Sequence, residues 1–597
     1  MLESRPMKHL LFSFLLFPAA LFAQDWKTPV ETASFEATPS YEETIAFLRQ
    51  IEAKLPEMKL SFYGTSPQGR PMPLVVVSKE KAFTPEAAAK TGKPVVMIQN
   101  GIHAGEIDGK DACLMILRDL AQGKHREVLD RMTLLIVPIY NVDGHERVSP
   151  YNRPNQDGPR QGMGFRTTAA GFDLNRDHMK AVSIEAQALL SLASAWRPHL
   201  HVDDHVTDGV DHDWVLTWSK AEAPQAPLSV DLWLRDHFPK VLAATEKAGH
   251  RAGPYVDLKD GNDPGKGFGS NVYPPRFSTG YWPLRNRPSI LVEMHSYKPY
   301  KQRVLANRDF LLALLGEIAS DPDGLVRAVA EAEAATVELG RPDAKPSTVV
   351  LAFEESEAAD TIRFPVYAHE VGTSAVTGEP LLRYRRGEVR EMDVPWYHKP
   401  KVSKTLPRPR GYLVLPGWPQ IEQRLRSHGL RFETLNEPVE IEVETIRVSE
   451  PKFAPRSYQG LHQVQGVKVE RKAERRRIPA GAHWIPADQP DFAVAVQLLE
   501  PDAPDSLLSW GLLSSVFEQK EYIDGRVLEE LAAEMLKDPK TTAEFEEALK
   551  DEKLAKDPFA RYLWWYRRTP YWDETLGLLP IYRVMQVPST LVPASLR

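Results

Sequence analysis

Four short runs of β-branched and aliphatic residues constrain this chain most. They are Leu-Val-Val-Val-Ser at 74–78, Val-Val-Met-Ile-Gln at 95–99, Thr-Leu-Leu-Ile-Val at 133–137 and Ser-Ile-Leu-Val-Glu at 289–293. A strand with one wet face alternates apolar and polar residues, whereas a near-continuous apolar run has to be covered on both faces. Helical patterns at 41–54, 109–121, 183–195 and 307–320, with an Ala/Glu-rich helix at 322–339, supply that cover. The expectation is an α/β fold, a mixed central sheet flanked by helices. Asp108 stands where it would cap the second helix. Cys113, the only Cys of the chain, lies on that helix and is expected in the packed core; alone, it rules out an intrachain disulfide.

The rest of the chain reads differently. Val-Glu-Ile-Glu-Val-Glu-Thr-Ile-Arg-Val at 439–448 has a period of two, the pattern of an antiparallel strand with one face in water. Gly-Tyr-Leu-Val-Leu-Pro at 411–416, followed by a helical pattern at 420–428, reads as a small α/β insertion. A charged helical tail at 526–557 precedes an aromatic cluster containing Tyr562, Trp564, Trp565 and Trp572. Basic stretches near 383–410 and 468–477 read as solvated strand faces. With 597 residues, the chain exceeds the ~250–300 that one core commonly uses. The expected division is a leader at 1–23, an α/β unit at 24–343, and a β-rich C-terminal region with terminal helices at 344–597. No catalytic group is expected in that last region.

Arg5, Lys8 and His9 precede an apolar run at 10–23 that is shorter than the ~20 residues of a membrane span and ends on Leu21-Phe-Ala23. This reads as a signal peptide of an exported protein, periplasmic or extracellular, with no stable membrane insertion after cleavage. A net charge of −7 argues against a nucleic-acid partner.

The chemistry concentrates in four places. Gln99-Asn-Gly-Ile-His-Ala-Gly-Glu106 leaves a buried strand and sets His103 and Glu106 three apart, where open α/β sheets bind ligands. Zinc takes His nitrogen and carboxylate oxygen. A further ligand is offered by His-Leu-His-Val-Asp-Asp-His at 199–205, with His201 and His205 both open candidates. Asn175-Arg176, after Arg166, can present an amide and a guanidinium to a carboxylate, or Arg176 can pair with Asp173 or Asp177. Glu293 ends a buried strand, which is costly for a carboxylate unless it is paired, beside a metal or catalytic.

These elements, in this order, resemble the zinc carboxypeptidases, the carboxypeptidase A-like metallopeptidases, over roughly residues 40–320. Tyr63-Gly-Thr-Ser-Pro-Gln-Gly-Arg70 is similar to that family's approach to its second strand. The resemblance implies one zinc ion held by His103, Glu106 and His205, with Asp173 a hydrogen-bond partner of His103. It implies Glu293 as general base, Arg166 on the scissile carbonyl, and Asn175 and Arg176 on the terminal carboxylate of a peptide or peptide-like substrate. A substrate-capping tyrosine falls on Tyr281, with Tyr273 as the other candidate. A His-Glu-x-x-His zincin is excluded, because His145-Glu146 and His369-Glu370 lack the second His. No Gly-x-Ser-x-Gly elbow or phosphate-binding loop is present. Two rivals stand beside the carboxypeptidase reading: an amidase or deacylase acting on peptidoglycan stem peptides or acylated amino acids, and an inactive envelope binding protein.

Overall fold

The computed structural model describes residues 26–269, 272–588 and 591; the leader expected at 1–23 lies outside them. The central sheet comprises β1 (Met58–Thr65), β2 (Pro71–Val77), β3 (Val95–Asn100), β4 (Thr133–Val137), β5 (Leu200–Thr207), β6 (Leu216–Lys220), β7 (Ala252–Pro254) and β8 (Ser289–His295). Their spatial order is β1-β2-β4-β3-β5-β8-β6-β7. The middle strands β4, β3, β5 and β8 run parallel. β2 and β6 join this block antiparallel, on β4 and β8. The four apolar runs are β2, β3, β4 and β8, and every residue of β3 and β4 is buried.

Helices α1 (Tyr41–Lys54), α2 (Asp108–Ala121), α3 (Ile184–Trp196), α4 (Leu228–Lys247), α5 (Tyr300–Ser320) and α6 (Pro322–Gly340) cover the sheet. Helix α2 is buried from Asp108 to Leu120, and Cys113 is buried with it. The cap expected of Asp108 is absent: Ile107 is the N-cap and makes no side-chain cap bond. Asp108 instead turns inward and accepts from Arg303 Nε at 2.7 Å and Nη2 at 3.2 Å. A buried guanidinium without a counter-charge costs more than a helix cap contributes, so the ion pair prevails.

The C-terminal region is β-rich, as expected, but Gly411–Val414 is not part of an insertion. It lies inside a six-stranded sheet, paired antiparallel with His483–Pro486 and with Ile581–Val584. The period-two segment forms Val439–Phe453, paired along its length with Val464–Ile478. A long hairpin, Asp360–Thr373 with Pro380–Tyr397, extends beside the first sheet. The charged tail breaks into Gly525–Met535, Pro539–Ala548 and Glu552–Lys556, which start on the caps Asp524, Asp538 and Asp551.

Packing does not pause at 343/344. One hydrophobic cluster runs from Val96 and Leu315 to Ile421, Ile485 and Leu498. Polar contacts cross the same line: buried Arg285 pairs with Asp491 at 3.2 Å, and Trp396 pairs with Phe268 in a parallel bridge.

Candidate active site

Three adjacent parallel strands deliver the polar groups to one edge of the central sheet. β3 ends at Asn100, and Gly101 with φ 68° turns the chain into the loop carrying His103 and Glu106. Asn100 is in register with Asp204 of β5, so His205 lies one position beyond the end of β3. Glu293 of β8 is the register partner of His205. Side chains at matched positions of parallel neighbours share a face, and this is the carboxyl edge where α/β sheets bind ligands.

His103, Glu106 and His205 are buried, and their donor atoms all lie within 4.8 Å of one another. His103 Nδ1 is 3.0 Å from Glu106 Oε1, and His205 Nδ1 is 2.8 Å from Glu106 Oε2. The remaining ring nitrogens face carboxylates: His103 Nε2 is 3.1 Å from Asp173 Oδ1 and His205 Nε2 is 3.0 Å from Asp203 Oδ2. A carboxylate on the far nitrogen fixes ring orientation and tautomer, the usual arrangement behind a metal-binding His. Burial works to raise the Glu106 pKa, but the charges of His103, Arg153 and His205 outweigh it and hold the group well below the usual range. The donor set, two imidazoles and one carboxylate, fits zinc with a position left open.

His201, the competing candidate, lies outside this group. It points into the core, with Nδ1 3.1 Å from Ser289 Oγ and its ring stacked 4.3 Å from Trp282. Burial pushes its pKa down to about 3, so it is neutral.

A cavity of about 420 Å³ joins the metal-binding triad to Arg166, Asn175, Arg176 and Glu293. Arg166 donates to Asp173 Oδ2 through Nε at 3.1 Å and Nη2 at 2.9 Å. Burial opposes ionisation of Asp173, yet His103 and Arg166 hold it far below the ordinary carboxylate range. Asp177 is taken by Lys180 at 2.8 Å. Both acids considered as partners of Arg176 are therefore engaged elsewhere, and among the described residues no carboxylate forms an ion pair with Arg176. Its guanidinium lies 4.0 Å from the centre of the Phe277 ring, and Nη1 donates to the Asn175 carbonyl at 2.7 Å. The Asn175 Oδ1 accepts from the Ser278 amide at 3.0 Å. Glu293 Oε2 is buried without a hydrogen-bond partner among the described residues. Burial pushes Glu293 up to about 8, Glu106 and Asp203 adding to the rise and His205 opposing it.

Tyr281 does not cap this cavity. It is 0 % exposed, and its hydroxyl donates to His428 Nδ1 at 2.8 Å inside the core. Tyr273 lines the cavity, together with Tyr255. Tyr255 and Arg153 escaped the sequence reading, because neither carries a motif or a periodic pattern. Arg153 Nη2 reaches Glu106 Oε1 at 2.8 Å and the Val206 carbonyl at 2.9 Å. The C-terminal region, in which no catalytic group is expected, still reaches the site: Gln459 Oε1 accepts from the Asp173 amide at 2.8 Å.

Residues 44–196 match the zinc carboxypeptidase family. "Carboxypeptidase 2" of Trichophyton rubrum is 25% identical over 501 residues, covering 80% of this chain and 84% of that protein. The protein of the same name from Trichophyton equinum is 24% identical over 503 residues, with the same coverage of 80% and 84%. Among solved structures, a metallo-carboxypeptidase from Burkholderia cenocepacia aligns at 20% identity over 47% of this chain and 70% of that chain, with a TM-score of 0.35. The carboxypeptidase A of Helicoverpa armigera aligns at 16% identity over 50% and 75%, with a TM-score of 0.35. Residues 44–196 are thus similar to a zinc carboxypeptidase domain, and the His103–Glu106–His205 group could hold the metal ion.

Proposed function

We propose that this enzyme removes the C-terminal residue of a peptide, with His103, Glu106 and His205 as the zinc ligands. The observation that carries the reading is a pair of groups facing one cavity: Glu293 with a buried, unpartnered Oε2, and Arg176 with no acid paired to it. Bound zinc supplies a Lewis acid and lowers the pKa of water toward ~7.

The chain's own residues do the rest. Glu293, facing the cavity with an unpartnered carboxylate oxygen, takes the proton of the attacking water and returns it to the departing amine. Arg166, fixed by Asp173, offers its guanidinium to the oxygen on which negative charge develops. Asn175 and Arg176 hold the free carboxylate of the substrate, so the scissile bond is placed by the end of the chain. Asp173 serves two of these groups at once, orienting His103 through Oδ1 and Arg166 through Oδ2.

The test is hydrolysis by zinc-loaded protein of matched peptides with free and amidated C-termini. The expected outcome is a kcat/KM at least ~100-fold lower for the amidated member, because a site built for a carboxylate is left with unpaired polar groups. Equal rates would remove the clamp and favour an amidase or deacylase. No hydrolysis of any peptide by fully zinc-loaded protein would favour a binding protein.

A further inference from the structure

The C-terminal region reaches the site through one very small structure. Tyr458 and Leu461 form an antiparallel bridge, with reciprocal backbone hydrogen bonds of 2.8 and 3.1 Å. Between them, Gln459 and Gly460 have φ of 53° and 72°. Positive φ at both central residues is the type I′ hairpin arrangement, which Gly and Asn adopt readily and which costs a long side chain such as Gln steric energy. The tip is pressed onto the active-site loop: a Cβ at Gly460 would stand 2.8 Å from the Phe172 ring.

What the strained residue does there is specific. Gln459 Oε1 accepts the Asp173 amide at 2.8 Å. The Asp173 carboxylate in turn accepts the Asn175 amide at 2.9 Å, besides its bonds to His103 and Arg166. The other side of the subsite is braced from the same region. Tyr458 stacks on Trp510 at 6.0 Å, and Trp510 Nε1 donates to Asp505 Oδ1 at 3.2 Å. Asp505 Oδ2 accepts the Arg276 amide at 2.9 Å, one residue before the Phe277 ring that carries Arg176.

We propose that Gln459 is a positioning residue for the substrate-carboxylate subsite, holding the Asp173–Arg176 loop in its binding geometry from the C-terminal half of the chain. The proposal rests on the reading of Asn175 and Arg176 as the carboxylate clamp. A residue kept in a backbone region it disfavours, with its side chain on an active-site amide, is strain retained for position.

Two variants separate position from stability. Gln459→Gly relieves the positive φ and removes the acceptor, while Gln459→Met keeps the length and removes the acceptor. For a peptide with a free C-terminus, KM is expected to rise about 3–10-fold in both, the equivalent of one lost hydrogen bond, with kcat within about twofold. The free-over-amidated preference falls by the same factor, and Gln459→Gly melts no lower than the parent. An unchanged KM in both variants overturns the proposal. So does a loss that tracks a lowered melting temperature and strikes free and amidated peptides equally, since that is a structural role. If the parent itself fails to distinguish free from amidated peptides, the clamp reading falls first and takes the proposal with it.

Discussion

Glu293 stands in an environment that its residue type avoids. A carboxylate with a buried, unpartnered oxygen is destabilising in a fold, and it persists beside the His205 position because the sheet register puts it there. It is not one of the three converging donors, so its role and metal binding are separable by substitution. Glu293→Gln keeps the shape and removes the base. Turnover is expected to fall by about 10²–10⁴-fold, the range general-base catalysis supplies, with the zinc content by metal analysis unchanged. Parent-level turnover would sink the base assignment; loss of zinc would place Glu293 among the ligands. At this scale His103, Glu106, Arg166, Asn175, Arg176 and Glu293, each legible in or beside a compact motif of the sequence, line one cavity. The sequence left His201 against His205 open, since both lie on the same face of one strand, and only the third dimension shows which meets Glu106. Tyr281 and Tyr273 were equally indistinct locally; a tyrosine packed on His428 looks no different in one dimension from one lining a cavity.

Elements were legible where burial was total. Strands β2, β3, β4 and β8 are covered on both faces, so their composition alone announces them. β5 was harder: His201, Asp203, Asp204 and His205 made it look like a strand leaving for a polar loop, yet it is buried from Leu200 to Val206. Its polar side chains are bonded by residues far along the chain, Ser289 to His201, Gln99 to Asp203, Asn307 to Asp204 and Glu106 to His205, which no local pattern records. Gly411–Val414 looked like an insertion because its partners, His483–Pro486 and Ile581–Val584, lie far along the chain. The start of α2 makes the same point energetically. Asp108 reads as a cap, but it neutralises Arg303, which is 0 % exposed. Asp108→Asn keeps the size and removes the charge, leaving the guanidinium uncompensated. Chemical denaturation should then show a loss of about 3–5 kcal/mol, the range for breaking a buried pair from one side. A loss under ~1 kcal/mol would mean that the carbonyl partners of Arg303, on Asp157, Ser296 and Lys298, suffice without the carboxylate.

At the scale of the whole molecule, the boundary near Asp343 is a change of pattern and not a change of packing. The runs of strand and helix stop there, so composition suggests a catalytic unit with an appendage. The hydrophobic cluster continues across it, and an alignment of 501 residues with a related carboxypeptidase cannot be contained in the first 343. Cutting the chain after Asp343 would uncover the apolar faces that Val349, Leu351, Ile421 and Ile485 now cover. It would also strand several polar groups: Arg285 without Asp491, Tyr281 without His428, and the Asp173 amide without Gln459. A buried apolar side chain contributes about 1.5–3 kcal/mol, and an orphaned buried charge costs more than that. A domain stable by only ~5–15 kcal/mol does not survive several such losses together. The truncated protein is therefore expected to be insoluble or to lack a cooperative thermal transition, while the full chain melts as one unit. A soluble 24–343 fragment with a cooperative transition and the parent's KM for free-C-terminal peptides would show two separable domains. It would also show that the second half lends the active site nothing, because Gln459 would be gone and the carboxylate subsite intact.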